Sequence, residues 1–280
     1  MKIIRVFPRK TNATPDDENV RFMEPLRGDS ADEIHISVTF TYDLKKAEYL
    51  YSQWKHVAAT KIGGPATGEM SDAFTPGMYL KKGSVITSRG CNNKCWFCSV
   101  WKREGAIREL PITEGWNVRD DNLLACSDQH IISVFEMLKK QKHQIEFTGG
   151  IEAKLLKQWH VDLLSSLKMK TLYCAYDTKD DLDPLIEAGK MLSRSKISYA
   201  NRKASCYVLI GYPGDTIDSA IKRIRQSVHA GFFPFAMLYR DKRGEYDLQW
   251  KKFQRQFANP ILVAVNTRAW WEEKKRFNIF

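Results

Sequence analysis

Between residues 84 and 240, short strand-like runs alternate with stretches whose apolar residues fall at helical intervals, and this alternation constrains the fold most. The strand-like runs are residues 84–88, 116–122, 144–148, 171–176, 206–210 and 235–239. Helices are predicted over 128–142, 152–167, 182–192 and 216–230. The first has Ile131, Ile132, Phe135 and Leu138 on one stripe, with Ser127 as a candidate cap. The second has Leu155, Leu156, Trp159, Leu163 and Leu164. Units repeating at about 25 to 35 residues predict parallel strands joined by right-handed crossovers. An incomplete barrel and an open doubly wound sheet both satisfy that pattern.

The 280 residues, 43% hydrophobic and 12% aromatic, suffice for one large α/β domain, or for one domain with an appendage. No run approaches the ~18 apolar residues needed to cross a bilayer, so no membrane partner is expected. The balance of 44 basic and 33 acidic residues gives +11, which suits an acidic or phosphate-bearing partner and equally suits a solvated basic surface.

Residues 91–98 read Cys-Asn-Asn-Lys-Cys-Trp-Phe-Cys, three thiols within eight positions. Random placement of 6 Cys in 280 residues gives this spacing ~0.003 times per chain. Structural zinc and ordinary iron–sulfur clusters take four ligands, so three suggest a metal centre left open for chemistry. Zinc completed by a distant His or by Cys126, and buried inert thiols, are the alternatives. Six Cys make no dense disulfide scaffold, and the start MKIIRVFPRK carries no apolar signal run, so a reducing cytoplasm is the expected compartment.

This CxxxCxxC order, with Phe97 just before the last Cys, resembles the cluster loop of radical S-adenosylmethionine (radical SAM) enzymes. The resemblance covers roughly residues 84–240 and implies a partial (β/α)6 TIM-like barrel with the cysteine loop after the first strand. It implies that Cys91, Cys95 and Cys98 bind three irons of a [4Fe–4S] cluster, whose fourth iron takes the amino and carboxylate groups of SAM. An electron from a donor such as flavodoxin or ferredoxin would then cleave SAM to methionine and a 5′-deoxyadenosyl radical. In such a barrel the strand ends at Cys91, Asp120, Gly149, Asp177, Gly211 and Arg240 converge on one mouth.

By the same resemblance Phe97 flanks the adenine. Phe147-Thr148-Gly149-Gly150-Ile151-Glu152 is similar to the Gly-Gly-Glu-Pro segment that receives the SAM amino group, with Ile151 interposed and no Pro. Asp120 and Asp121, at the second strand end, offer a carboxylate instead, and turn chemistry is their bland role. Val208-Leu209-Ile210-Gly211-Tyr212-Pro213-Gly214 is similar to the fifth-strand segment beside the adenine, which puts Ile210 and Gly211 in the site; it also makes an ordinary turn. Asp177 is a candidate for the ribose or a helix cap. Arg240 is a candidate for adenine, a substrate anion or a surface ion pair.

Residues 1–80 contain one βαβ-like fragment, with a strand over 34–40, a helix over 44–56 and a third element over 57–64. It resembles a shrunken cobalamin-binding domain, but no Asp-x-His-x-x-Gly segment is present, which argues against bound cobalamin. Residues 241–280 mix rings with cations around Trp250-Lys251-Lys252-Phe253 and Trp270-Trp271, a pattern of a basic aromatic cap or of a nucleic-acid platform. Cys126, Cys174 and Cys206 show no ligand spacing and read as buried thiols. The expected whole is an oxygen-sensitive cytoplasmic radical SAM enzyme acting on a nucleic acid or peptide. Modification of a small phosphorylated metabolite, or a non-catalytic zinc or iron–sulfur nucleic-acid-binding protein, are the alternatives.

Overall fold

The computed structural model describes residues 1–70, 73–277 and 279. Its first layer is a parallel sheet formed by β1 (Ile3–Val6), β2 (Val20–Arg21), β3 (Glu33–Ser37) and β4 (Ala59–Gly63), with α1 (Leu44–Trp54) crossing between β3 and β4. The sheet order is β2-β1-β3-β4. The βαβ fragment read from sequence corresponds to β3, α1 and β4, and it is half of the element present. β1 is four residues long and β2 only two, too short to show a period. Ile4, Val6, Ile34, Ile36, Leu50 and Trp54 form a core of their own, separate from the main one. Arg5, buried within β1, reaches forward to the carbonyls of Gly77 and Met78 at 3.0 Å, tying this sheet to the turn that precedes the second sheet.

The second sheet is built from β5 (Ser84–Val85), β8 (Asn117–Val118), β9 (Ile145–Phe147), β10 (Met169–Tyr176), β11 (Ala204–Ile210) and β12 (Phe233–Leu238). Between β5 and β8 stand β6 (Ser88–Arg89), α2 (Val100–Arg103) and β7 (Arg108–Glu109). The six strands lie in chain order, every neighbour parallel, with no reversal of direction along the sheet. The crossover helices are α3 (Asp128–Lys139), α4 (Gln158–Ser165), α5 (Leu182–Arg194) and α6 (Ile217–His229). Ser127 caps α3 by accepting from the His130 N–H, and Thr216 caps α6 through the Ser219 N–H.

The expected elements shift by one to three residues at their ends, and three differ more. Residues 84–88 divide, because Ser88 and Arg89 leave the main sheet to pair antiparallel with Glu109 and Arg108. The second strand keeps only Asn117 and Val118 of the expected 116–122. The helix expected over 152–167 begins at Gln158, preceded by a tight turn at Ala153–Leu155.

Residues on successive strands alternate between two environments. Val118, Phe147, Leu172, Cys174, Cys206 and Val208 are buried against the helices. Asn117, Arg119, Glu146, Thr148, Tyr173 and Tyr207 lie on the opposite face and are partly exposed. Two further helices, α7 (Leu248–Ala258) and α8 (Pro260–Phe277), close the chain. Trp250, Trp270 and Trp271 pack on the main core, and Trp271 stacks on Tyr199 with ring centroids 4.6 Å apart. The rings of the tail are therefore packing groups. Among the described residues, no helix is long and apolar enough to cross a membrane.

Candidate metal centre

The hairpin of β6 and β7 grips the cysteine loop at its base. Gly90 has φ +89°, and a Cβ there would lie 2.2 Å from the Ala106 carbonyl oxygen, so only glycine fits the neck. The Cys91 N–H donates to the Gly105 carbonyl at 3.1 Å. Beneath the loop, the fully buried Glu104 carboxylate accepts from Arg103 Nε at 2.9 Å and from Arg108 Nη2 at 2.8 Å. The Cys98 N–H and the Trp101 indole both donate to the Cys95 carbonyl, at 3.1 and 3.0 Å. Burial pushes the Cys95 and Cys98 thiols up from their ordinary value.

A cavity of about 310 Å³ opens beside this loop at the carboxyl ends of the strands. Cys91, Cys95 and Phe97 bound one side; Asp121, Gly149, Gly150 and Asp177 bound the others. Cys98 sits behind, at the foot of α2. Gly149 is packed so closely on the preceding strand end that a Cβ would lie 2.3 Å from the Asp120 carbonyl oxygen. Gly150 has φ +109°, and a Cβ there would meet little besides the Tyr173 carbonyl oxygen at 3.9 Å. The backbone is thus bare where it faces the cavity.

Adjacent carboxylates have opposite fates. Asp120, 1% exposed, accepts from the Thr87 N–H at 2.7 Å, the Thr87 hydroxyl at 2.5 Å and the Ser88 hydroxyl at 2.8 Å. Burial raises its pKa against the pull of those bonds, and all of its contacts brace the split first strand. Asp121 turns toward the cavity and accepts the Gly90 N–H at 3.0 Å. Asp177 accepts the Leu209 N–H at 3.1 Å; burial first, and then the neighbouring Asp181, push its carboxyl up to about 7. Asp181 is held ionised despite its burial by the Thr178 N–H and by Lys154, the latter at 3.0 Å.

Ile210, Gly211 and Arg240 are not among the residues round this cavity. Ile210 is fully buried in the main core. A Cβ on Gly211 would meet Leu238 at 2.8 Å and Trp250 at 3.0 Å, because α7 covers that turn. The Arg240 guanidinium stacks over Tyr246 and Tyr42, 4.5 and 5.4 Å from the ring centroids. Glu152, Asn122, Lys154, Asp181 and Tyr207 line the cavity as well. Of these, only Glu152 carries a sequence signal, one residue later in Gly-Gly-Ile-Glu than in the Gly-Gly-Glu-Pro segment.

Among the described residues, no three His, Cys, Asp or Glu side chains gather round a single ion. A four-iron cluster places each thiolate on a different iron and does not require such a gathering. The residues present fit that group and its nucleotide ligand. Two of the three thiols on one gripped loop, Cys91 and Cys95, line a cavity with bare glycine backbone and the carboxylates of Asp121, Glu152, Asp177 and Asp181, and the buried Asn122 Oδ1 beside it has no hydrogen-bond partner within the described residues. Among known proteins, no family model matches the chain, and no curated protein matches it.

Proposed function

We propose that this protein is a radical SAM enzyme, with the six-stranded sheet as the wall of a partial (β/α)6 barrel. The observation that carries the reading is the meeting of Cys91 and Cys95 with Gly149, Gly150 and Asp177 round one cavity at the strand ends. The chain-ordered parallel strands also support it, since a doubly wound sheet reverses its order at the ligand crevice. Residues 1–80 form the appendage, 81–240 the barrel and 241–280 the cap.

In this reading Cys91, Cys95 and Cys98 hold a [4Fe–4S] cluster. When bound, the cluster and SAM supply a carbon-centred radical that takes a hydrogen atom from substrate. Glu152 and Asp121 face the cavity as carboxylates suited to an ammonium, and the glycine backbone allows close approach. Asp177, poised about neutrality, has one oxygen on the Leu209 N–H and offers the other to a hydroxyl. Phe97 walls the cavity against water.

The substrate in this reading is a nucleic acid, with a peptide as the second candidate. Trp96, 54% exposed on the cysteine loop, stands 5.6 Å from Tyr239 and 5.8 Å from Tyr212 between ring centroids, and Arg240 follows Tyr239. Such a rim suits base stacking with cation contacts. An electron donor such as flavodoxin or ferredoxin would be the protein partner.

Anaerobic reconstitution tests the reading. About four iron and four sulfide per chain, an absorbance band bleached by dithionite, and SAM cleavage to 5′-deoxyadenosine are expected. Stoichiometric zinc without SAM cleavage overturns it. Retention on single-stranded nucleic acid should weaken steeply with salt, and no retention at low salt rules out the nucleic-acid substrate.

A further inference from the structure

Arg119 stands on the face of the main sheet opposite the helices, one residue before the strand end at Asp120. In register, its row runs across Thr148 of the next strand and Tyr173 of the one after, both on the same face. Its backbone lies against Gly149 of the cavity wall, where a Cβ would come within 2.8 Å of the Arg119 Cα. The Nε atom is shielded from water and has no hydrogen-bond partner, and within the described residues the guanidinium makes no ion pair.

The other arginines withdrawn from water in this fold are matched. Arg5 meets Asp17, Arg103 meets Glu104 at 2.9 Å, and Arg223 meets Asp215 at 2.7 Å. Arg119 is half-buried, with its Nε shielded and no carboxylate paired to it among the described residues; that is unfavourable, and an acceptor from outside the chain would offset the cost. Burial already pulls the Arg119 pKa down, partly offset by Tyr207 and Glu146. Glu146, on the same face, pairs with Lys170 through Oε1 at 3.0 Å, and among the described residues no hydrogen bond or ion pair joins it to Arg119. Next to Arg119 on the same face, Asn117 accepts from the Thr148 hydroxyl at 2.6 Å through its oxygen, which leaves its amide N–H groups to donate. Arg119 and the Asn117 amide are therefore donors with no protein acceptor among the described residues.

We propose that Arg119, with Asn117 beside it, receives an oxyanion of the substrate, a carboxylate or a phosphate, on that face of the sheet. The planar fork of a guanidinium matches two oxygens of either group. This assignment rests on the reading that a substrate is modified at the adjoining cavity, and it names the charge that substrate carries.

The test is the thermal unfolding of the full chain, as purified, with and without inorganic phosphate or acetate at matched ionic strength. Tenfold saturation by a fitting anion should raise the Tm by about 3 °C. Arg119→Met should abolish that rise, Arg119→Lys should keep part of it, and without added anion the Met variant should melt at or above the wild-type temperature. A response to phosphate alone assigns a phosphate, and a response to acetate alone a carboxylate. A rise that survives in Arg119→Met, no rise with either anion, or a Met variant that melts several degrees low without anion overturns the proposal by making Arg119 a structural group. Iron loading and SAM cleavage by the wild-type chain are measured separately. Their failure removes the radical SAM reading while leaving the anion response to stand or fall by itself.

Discussion

Asn122 donates its side-chain amide to the Glu152 carboxylate across 2.5 Å, joining the second strand end to the loop after the third. The same nitrogen lies 3.6 Å from the Cys91 sulfur. One amide thus fixes the carboxylate and touches the first thiol.

Because Gln can still accept from Asn122, Glu152→Gln removes charge without removing the join. Loss of a charge-assisted hydrogen bond to an ammonium should weaken SAM binding about tenfold or more, with little change in melting temperature. Asp120→Ala should do the reverse. Three donors lose their acceptor, which should lower stability by about 3 kcal/mol. Equilibrium SAM binding and urea unfolding of the two variants separate the roles, and equal SAM affinity in Glu152→Gln and wild type would remove Glu152 from the site.

Glu104 is the keystone of the cysteine loop, since its buried carboxylate meets Arg103 on α2 and Arg108 on the returning strand. Removing one partner of a buried ion pair strands the other charges, at about 3 to 5 kcal/mol. Glu104→Ala should therefore loosen residues 91–107, seen as protease cleavage within the loop before global unfolding, and iron retention should fall. A variant as protease-resistant as wild type would show that the hairpin alone holds the loop.

The two cavity glycines should respond differently to alanine. At Gly149 the new Cβ collides with the backbone of the preceding strand end, so Gly149→Ala should unfold or melt many degrees lower. At Gly150 the methyl group would enter open space at the cost of a strained positive φ, about 1 to 3 kcal/mol. Gly150→Ala should fold and lose SAM affinity. Unimpaired SAM binding by folded Gly150→Ala would show that the ligand does not approach that backbone.

Much of this architecture is legible in sequence because apolar periodicity and capping are local. Ser127 and Thr216 cap the helices whose apolar stripes they precede. What is not legible depends on pairing between distant segments. Nothing local to Asp120-Asp121 says that the first turns inward to Thr87 and Ser88 while the second faces the cavity. The split of the first strand belongs to the same contact. Glu152 emerges at the cavity because Ile151, 2% exposed, anchors itself by donating its N–H to the Tyr173 carbonyl at 2.7 Å. The turn at Gly211 carries the sequence of a ligand loop, yet Trp250 of α7 occupies the space above it, a contact 39 residues removed in the chain.

Asp177 gives the fold a dependence on pH near neutrality. Its carboxyl titrates at about 7 in the folded chain, against 3.8 for an unperturbed group, because burial and Asp181 disfavour the anion. Between those two values the folded chain holds a proton that the unfolded chain has lost, so stability falls as pH rises through the window. The contribution is fully present below 3.8 and gone above about 7. Asp177→Asn mimics the protonated acid and keeps an acceptor for the Leu209 N–H, so the variant should be the more stable chain at pH 8, by a margin that shrinks steadily toward pH 5 and closes only below 3.8. Urea midpoints across pH 5 to 8 measure the difference. Parallel curves for the two proteins would mean that Asp177 is already ionised at the low end, and that the cavity is wetter than its burial implies.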